Sequence, residues 1–153
     1  MGAGLNPAVR RRDALEALVD LADRVRGQAF TWGETDCGAL FLRALACLDE
    51  DGQRHLDMIT WSTPWGAFKA LQQTKPAALV EQLGAVRVPI VDAAGGDLVL
   101  GWFEDGTTPG GLPVCAVGVG SRFLSSRGAD GVILMARGLV VDAGAELAAW
   151  RIV

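Results

Sequence analysis

The period of the hydrophobic pattern changes near Gly84, and this change constrains the fold more than any other feature of the sequence. Before Gly84, apolar residues recur at steps of three and four, as they do along one face of an α-helix. After it, Val86, Val88 and Ile90 alternate, as in a half-buried strand. A run of helices followed by a run of strands predicts an α+β domain.

The helical half divides at its proline, glycine and acidic residues. We predict a first helix over residues 8–26, with Leu15, Leu18, Ala22 and Val25 on one face, and a second over residues 36–48. A polar loop over residues 52–62 follows and contains the single histidine, His55. Prolines suit the first turn of a helix, so two more helices are expected from Pro64 and over residues 76–84.

The second half is predicted to consist of strands separated by glycines. The expected strands are residues 86–90, 97–103 and 114–119, then shorter ones between residues 123 and 153. The last segment, Trp150 to Val153, is apolar enough to dock as a final strand. Between the second and third strands, residues 106–111 form a glycine-rich loop.

Size and charge exclude several classes of protein. A length of 153 residues fits one domain, which we place at residues 8–153 after a flexible N-terminus at 1–7. The net charge of −4 argues against nucleic acid as a partner, and the run Arg10 to Arg12 is interpreted as a solvated helix start. The sequence shows no signal peptide and no apolar stretch of about 18 residues, so we expect no membrane span and synthesis in a reducing cytoplasm.

The three cysteines, Cys37, Cys47 and Cys115, contain no CxxC pair, so no metal site and no cofactor is expected. Cys37 carries the most chemical information, because it follows a Trp-Gly turn and opens the second helix. The positive end of a helix favours a thiolate, lowers its pKa and offers backbone N–H groups for an oxyanion. Gly38 would leave room for a substrate. The alternative is that Cys37 is a small buried core residue.

The segments Trp32-Gly33, Asp36-Cys37-Gly38-Ala39 and Gly96-Asp97-Leu98-Val99 follow one another in the order found in NlpC-type cell-wall cysteine peptidases. The chain resembles most closely a phage-encoded subfamily found among tail-tip genes, whose end is similar to Ala148-Ala149-Trp150-Arg151-Ile152-Val153. The resemblance spans residues 27–153. It implies a papain-like fold with N-terminal helices packed on a small antiparallel sheet, Cys37 as nucleophile, and Asp36 and Gly38 at the oxyanion turn.

One part of the peptidase pattern is missing. The resemblance places a histidine within residues 111–120, but this segment contains none, and Val114 or Cys115 stands in its neighbourhood. A general base contributes about 10²–10⁴-fold in rate, so Cys37 without one is a poor catalyst. Glu34 and Asp36 would also raise the pKa of the thiol if they lie near it.

Two other residues are weaker catalytic candidates. His55 could supply the base, although a surface or packing role is the alternative, and Asp97 could be a catalytic carboxylate, although a turn at the entry to a strand is favoured. Five tryptophans could stack on sugars, but core and interface roles are more common. They stand at positions 32, 61, 65, 102 and 150.

The resemblance and the missing histidine together lead to two hypotheses. The first is a structural or assembly component of a bacteriophage tail tip, with a degenerate peptidase fold and other tail-tip or hub proteins as partners. It implies a location in the virion. The alternative is an active cysteine peptidase that cleaves peptidoglycan during cell-wall penetration. A non-viral binding module is a third and weaker option.

Overall fold

The structure is a computed structural model that describes residues 6–103, 112–126, 131–135 and 146–153, in which helices precede a sheet. The helices are α1 (Ala14–Val25), α2 (Cys37–Leu48), α3 (Gln53–Leu56), α4 (Pro64–Gln73) and α5 (Pro76–Gln82). The strands are β1 (Val86–Val88), β2 (Asp97–Phe103), β3 (Leu112–Val119), β4 (Arg122–Ser126), β5 (Val132–Met135) and β6 (Glu146–Arg151). The predicted α+β class is confirmed. The predicted glycine-rich loop at 106–111 lies outside the described residues.

The six strands form one open, fully antiparallel sheet in the order β1-β6-β2-β3-β4-β5. The last strand lies between β1 and β2, where Trp150 is opposite both Arg87 and Leu98. The C-terminal segment does dock as a strand, but this strand spans Glu146–Arg151, so only Trp150 and Arg151 of the predicted residues 150–153 belong to it. This strand is therefore the second from one edge of the sheet, and β1 covers its outer side.

Side chains on the two faces of the sheet belong to different clusters, as the period of two requires. Leu98, Leu100, Cys115, Val117 and Trp150 face the helices and share the main core with α1 and α2. The opposite face carries a smaller cluster, in which the strand residues are joined by Ala93, next to the 3-10 turn at Ile90–Asp92. Its members are Val88, Ala93, Val99, Ala116, Phe123, Met135 and Ala149.

Helix α2 is the centre of the main core. Nine of its twelve residues are buried, so it is apolar on all sides, whereas α1 buries only one face. A helix that is apolar all round must be enclosed by other elements. Here α1 and α3 contact α2 along the helical layer, and β3 and β4 contact it from the sheet. Among the described residues, no helix is long and apolar enough to cross a membrane.

The start of the first helix differs from the prediction. Helix α1 begins at Ala14 instead of residue 8, because the segment before it runs along the end of α2. There the Arg11 N–H donates to the Leu48 carbonyl, and Glu50 N–H donates to the Val9 carbonyl. The predicted apolar face is also wrong at one position, because Leu15 is 50% exposed while Ala14 beside it is buried. The predicted loop over residues 52–62 also contains a short helix, α3.

Gly118 of β3 provides a direct test of the packing on the outer face. A Cβ at this position would lie 2.0 Å from the Ala94 carbonyl oxygen, which belongs to the backbone and cannot rotate away. We expect Gly118→Ala to lower the free energy of unfolding by about 3 kcal/mol, as other overpacking substitutions do. The matched control is Gly120→Asn, two residues away, where the space is open and the φ of +61° is tolerated by asparagine. Equal urea midpoints for both variants would contradict this packing.

Candidate functional site

Asp36 organises the start of α2. Its Oδ1 accepts a hydrogen bond from the Ala39 N–H (3.1 Å), which is the N-cap interaction of a helix. Its Oδ2 accepts from the Gly33 N–H (2.7 Å) and from the indole Nε1–H of Trp61 (2.9 Å). The residue is 2% exposed. One buried carboxylate thus fixes the Trp-Gly turn, the first turn of α2 and the segment before α4 relative to one another.

The two glycines of the motif serve close packing. Gly33 has a φ of +82°, and a Cβ there would lie 2.2 Å from the Trp61 carbonyl oxygen. Gly38 is buried, and a Cβ there would lie 3.1 Å from the Leu71 side chain and 3.2 Å from the Trp61 ring. The sequence suggested that Gly38 leaves room for a substrate. In the structure, Leu71 and Trp61 occupy that space.

Cys37 lies at the first position of α2, and its thiol points toward the sheet. The Sγ donates to the Ser126 carbonyl of β4 at 3.4 Å, and the residue keeps part of its surface exposed. Burial raises the pKa of this thiol, hydrogen bonding from the Cys115 backbone opposes the rise, and the charge of Asp36 adds to it. The sequence predicted a lowered pKa for a thiol at the start of a helix. The pKa is raised instead, because burial disfavours the charged thiolate. The predicted effect of Asp36 is confirmed.

Cys115 occupies the position that faces the Cys37 thiol. It lies on the helix-facing side of β3, and extending the β3–β4 register by two residues places it opposite Ser126. Its carbonyl accepts a hydrogen bond from the Ser125 hydroxyl at 2.9 Å. Burial raises the pKa of the Cys115 thiol well above its usual value, and charge on Cys37 would raise it further. A second thiol therefore lies where the family resemblance implies an imidazole.

The single histidine lies at the opposite end of α2. His55 belongs to α3, is 1% exposed, and places its Nε2 2.7 Å from the Asp49 Oδ2. Asp49 follows the last residue of α2, so it is about 18 Å along the helix axis from Cys37 at 1.5 Å per residue. The structure does not bring His55 and Cys37 together.

Asp49 is the centre of a buried charged network that holds the N-terminal segment. Its Oδ2 also accepts from the Arg54 guanidinium at 2.7 and 3.0 Å, and its Oδ1 accepts from the Val9 N–H. Arg54 in turn donates to the Asn6 carbonyl. The hydrogen bonds from Arg54 and His55 outweigh burial, so the pKa of Asp49 is lowered. His55 is therefore part of this network through its hydrogen bond with Asp49.

The protonation state of His55 follows from its surroundings. Its Nδ1 is buried and has no hydrogen-bond partner among the described residues. A neutral ring with its proton on Nε2 leaves only a bare acceptor there, whereas a charged ring would bury an unpartnered N–H donor. Burial accordingly lowers the pKa of His55, although the hydrogen bond to Asp49 opposes the shift.

Asp97 is held by an ion pair at the start of β2. Its two carboxylate oxygens accept from the Arg151 guanidinium at 2.8 and 2.9 Å, and Oδ2 also accepts from the Ala94 N–H. The carboxylate is fully buried. Cys115 pairs with Leu100, three residues farther along β2, which is about 10 Å at the rise of a strand. Asp97 is therefore in the strand-entry turn that the sequence favoured, away from the Cys37 thiol.

The tryptophans divide between core and surface. Trp61 and Trp150 are buried, and the Arg87 guanidinium lies 4.9 Å from the centroid of the Trp150 ring. Trp65 is 69% exposed and stacks on Phe68, and Trp32 is 36% exposed and meets Phe30 edge to face. The side chain of Trp102 lies outside the described residues. No two of the four described tryptophans are paired in a ring contact that would form a sugar-stacking platform.

A cleft beside α2 has no contribution from Cys37 to its lining. It has a volume of about 190 Å³ and lies between α2, α4 and α5. Its lining is mainly apolar and includes Phe41, Met58, Trp61, Leu71 and Leu79. The described residues contain no group of three or more histidine, cysteine and acidic side chains that could hold a metal ion. The site around Cys37 therefore offers two thiols, a carbonyl and the hydroxyl of Ser126.

Sequence reasoning missed two of these groupings. The Asp49–Arg54–His55 network is local, and an acidic residue six positions before a lone histidine was a signal that could have revealed it. Nothing in the sequence pointed to Ser126, because its position beside Cys37 depends on the pairing of β3 with β4. The sequence did name Cys115 as the residue near the expected histidine.

A family model described as a domain of unknown function, DUF6950, matches residues 9–152. This chain belongs to the DUF6950 family. The match runs from the N-terminal segment held by Asp49 to the end of the sheet, so Asp36, Cys37, His55 and Asp97 all lie within the DUF6950 domain. No curated protein and no solved structure matches the chain.

The carboxylate of Asp36 should matter more than an ordinary helix cap. We expect Asp36→Ala to lower the free energy of unfolding by about 3 kcal/mol, since it removes the cap and leaves the buried Trp61 N–H unpartnered. Thr63→Ala is the matched control, because Thr63 caps α4 through Gly66 at an exposed site and should cost only about 1 kcal/mol. Urea unfolding checks both values. Equal losses would contradict the central role of Asp36.

The neutral state of His55 predicts a loss of stability in mild acid. Because the folded-state pKa is lower than the ordinary value of 6.5, the unfolded chain binds a proton first, and stability should fall as the pH drops below 6.5. The lowered pKa of Asp49 adds a second loss below about pH 3.8. Urea unfolding at a series of pH values measures both.

The control for this measurement is His55→Gln, which can still donate to Asp49 but does not titrate. Since the chain has one histidine, the variant should lose the slope between pH 6.5 and 5, whatever its stability at pH 8. An unchanged slope in the variant, or a wild-type protein whose stability rises in mild acid, would contradict a neutral buried ring.

Proposed function

We propose that this DUF6950 chain is a structural or assembly component of a bacteriophage tail tip, built on a papain-like, NlpC-type peptidase fold without catalytic function. One observation carries the proposal: the Cys37 thiol faces Cys115 and the Ser126 carbonyl, while the only imidazole is hydrogen-bonded to Asp49 at the other end of α2. A thiol without an imidazole beside it lacks the group that accepts the proton during attack and returns it to the leaving amine in cysteine peptidases.

The placement of the motif residues supports the fold part of the proposal. In a papain-like site, a cysteine opens a central helix and faces an antiparallel sheet that supplies the base. Here Cys37 opens α2, the Trp-Gly turn precedes it, and β2 begins with the Gly-Asp pair. The neighbouring strand β3 passes under the thiol at Cys115. This order of elements agrees with the resemblance found in the sequence.

The electrostatic surroundings of Cys37 support the proposal that it does not act as a nucleophile. The thiolate is the nucleophilic form, and burial together with the Asp36 charge keeps Cys37 protonated near neutral pH. Among the residues that the structure describes, no lysine or arginine lowers the pKa of this thiol. An enzyme of this kind needs the opposite arrangement, in which a nearby positive charge or imidazole favours the thiolate.

Each residue of the peptidase-like motif also has a structural role. Asp36 caps α2 and binds Trp61, Gly33 and Gly38 allow close packing, and Asp97 forms an ion pair with Arg151. The motif is therefore useful to the fold even if no reaction takes place. This explains how a chain can carry the pattern of a peptidase and lack its base.

An assembly protein needs contact surfaces, and the described surface carries several exposed apolar side chains. Trp65 is the largest of them and lies at the start of α4, stacked on Phe68 at a centroid distance of 5.8 Å. Rigid aromatic side chains of this kind anchor protein interfaces. We propose other tail-tip or hub proteins as the partners of this surface.

An active cysteine peptidase acting on peptidoglycan is the second candidate. The observation that favours it is the position of Cys37 at the N-terminus of a twelve-residue helix with part of its surface exposed. Such an enzyme would have to receive its imidazole from another chain, because the sole histidine of this one is committed to Asp49.

The pH dependence of Cys37 alkylation separates the two candidates. The purified chain is treated with iodoacetamide between pH 6 and 10.5, and the peptide containing Cys37 is quantified by mass spectrometry. We expect an apparent pKa above the ordinary value of 9.0 and no cleavage of purified muropeptides. An apparent pKa below about 7, with muropeptide cleavage that Cys37→Ala abolishes, would establish the enzyme and overturn the proposal.

The location is tested on virions. Particles of a phage that encodes the chain are purified and their tails analysed by mass spectrometry, and tails from particles carrying Trp65→Ala serve as the comparison. We expect the wild-type chain in the tail fraction and less of the variant, whose stability should be nearly unchanged because the side chain is exposed. Absence of the wild-type chain from intact particles would contradict the proposed location.

A further inference from the structure

The site around Cys37 contains two thiols that α2 and β3 bring together across the core. The Cys37 Sγ contacts the Ser126 carbonyl at 3.4 Å, and the β3–β4 register places Ser126 opposite Cys115. Neighbouring strands are about 4.8 Å apart, and the Cys37 thiol also has a hydrogen-bond contribution from the Cys115 backbone, so the sulfur lies over the pair formed by Ser126 and Cys115. The Cys115 side chain points to the helix-facing side, toward α2.

Two further observations indicate that the thiols face each other. Cys115 belongs to the main core and Cys37 packs against the same core, and a negative charge on Cys37 would raise the pKa of the Cys115 thiol. The Ser126 hydroxyl is buried beside them and has no hydrogen-bond partner among the described residues. The space between α2 and the sheet at this point therefore holds two thiols and a buried hydroxyl.

We propose that Cys37 and Cys115 form a redox-active pair, which peroxide oxidises to an intramolecular disulfide that links the start of α2 to β3. The third thiol provides a contrast. Cys47 lies about 15 Å farther along the same helix, where its Sγ donates to the Ala17 carbonyl on the α1 side. It cannot reach either partner.

The reaction proceeds in two steps. The Cys37 thiolate attacks hydrogen peroxide, which forms the S–O bond of a sulfenic acid, breaks the O–O bond and releases hydroxide. The Cys115 thiolate then attacks the Cys37 sulfur, which forms the S–S bond and expels the sulfenic oxygen as hydroxide. The two thiol protons convert these hydroxides to water. Two thiols thus lose two electrons, and one peroxide is reduced to two waters.

Cys37 is the residue that meets the oxidant, since it is partly exposed while Cys115 is buried. Because burial raises the pKa of both thiols, the reaction should be slow at neutral pH and faster above pH 9.

The disulfide closes a long loop of chain between residues 37 and 115, so it should raise the midpoint of thermal unfolding by about 10 °C. A chain made in a reducing compartment and used outside it would meet such oxidants, and this biological setting alone rests on the proposed function.

The test treats the purified full-length chain with hydrogen peroxide at pH 9.5 and counts free thiols after denaturation. We expect the number of free thiols per chain to fall from three to one, with Cys47 the one that remains. A non-reducing peptide digest should show a cross-link between the peptides of Cys37 and Cys115. This measurement on the wild-type chain needs no variant.

Two variants separate the steps. Cys115→Ala should stop at the sulfenic acid of Cys37, which dimedone traps as an adduct, and Cys47→Ala should form the cross-link at the wild-type rate. Circular dichroism checks that each variant is folded. Three results on the folded wild-type chain would each overturn the proposal: no oxidation, over-oxidation of Cys37 with Cys115 still free, or a cross-link between separate chains.

Discussion

The burial of α2 between the helical layer and the sheet is the constraint on which the rest of the structure depends. Because this helix is apolar on all sides, α1, α3, β3 and β4 must all pack around it, and its two ends must be satisfied by buried polar groups. Asp36 accepts from N–H groups at the N-terminal end, whereas at the C-terminal end Arg11 donates to the Ala46 and Leu48 carbonyls and Asp49 follows the helix. Both carboxylates also hold chain segments that are distant in sequence, so the helix ends organise the fold around them.

The same arrangement separates the chemical groups that a cysteine peptidase would bring together. The imidazole is committed to the carboxylate that follows α2, and the thiol lies at the start of this helix, about 18 Å away along a rigid element. No movement of a single side chain can close that gap. Among the described residues, the groups near the thiol are a second thiol, a carbonyl and a hydroxyl, and burial together with the Asp36 charge raises the pKa of Cys37. The geometry thus favours redox chemistry of the thiols over acyl transfer.

Local patterns predicted the elements that local forces determine. Helix α2 and strand β2 were predicted nearly to the residue, since the N-cap at Asp36 and the turn at Gly96 are signals within the sequence. The predicted start of α1 was wrong because the preceding segment forms hydrogen bonds with the end of α2 instead of continuing the helix. Helix propensity alone does not reveal these distant hydrogen bonds. The pairing of Asp97 with Arg151, 54 residues apart, was likewise invisible, because it follows from the insertion of β6 between β1 and β2. The sequence identified Cys37 and the absence of a histidine from residues 111–120, but only the fold shows that Ser126 and Cys115 lie beside this thiol.

The most direct test of this account is an experimental structure of the reduced chain, alone and assembled with its partners, at a resolution that defines the Cys37 side chain. The account predicts that the Cys37 sulfur lies against the Ser126 carbonyl and faces Cys115, with His55 on Asp49, in both states. An imidazole within hydrogen-bond distance of that sulfur, from this chain or from a neighbouring one, would contradict it.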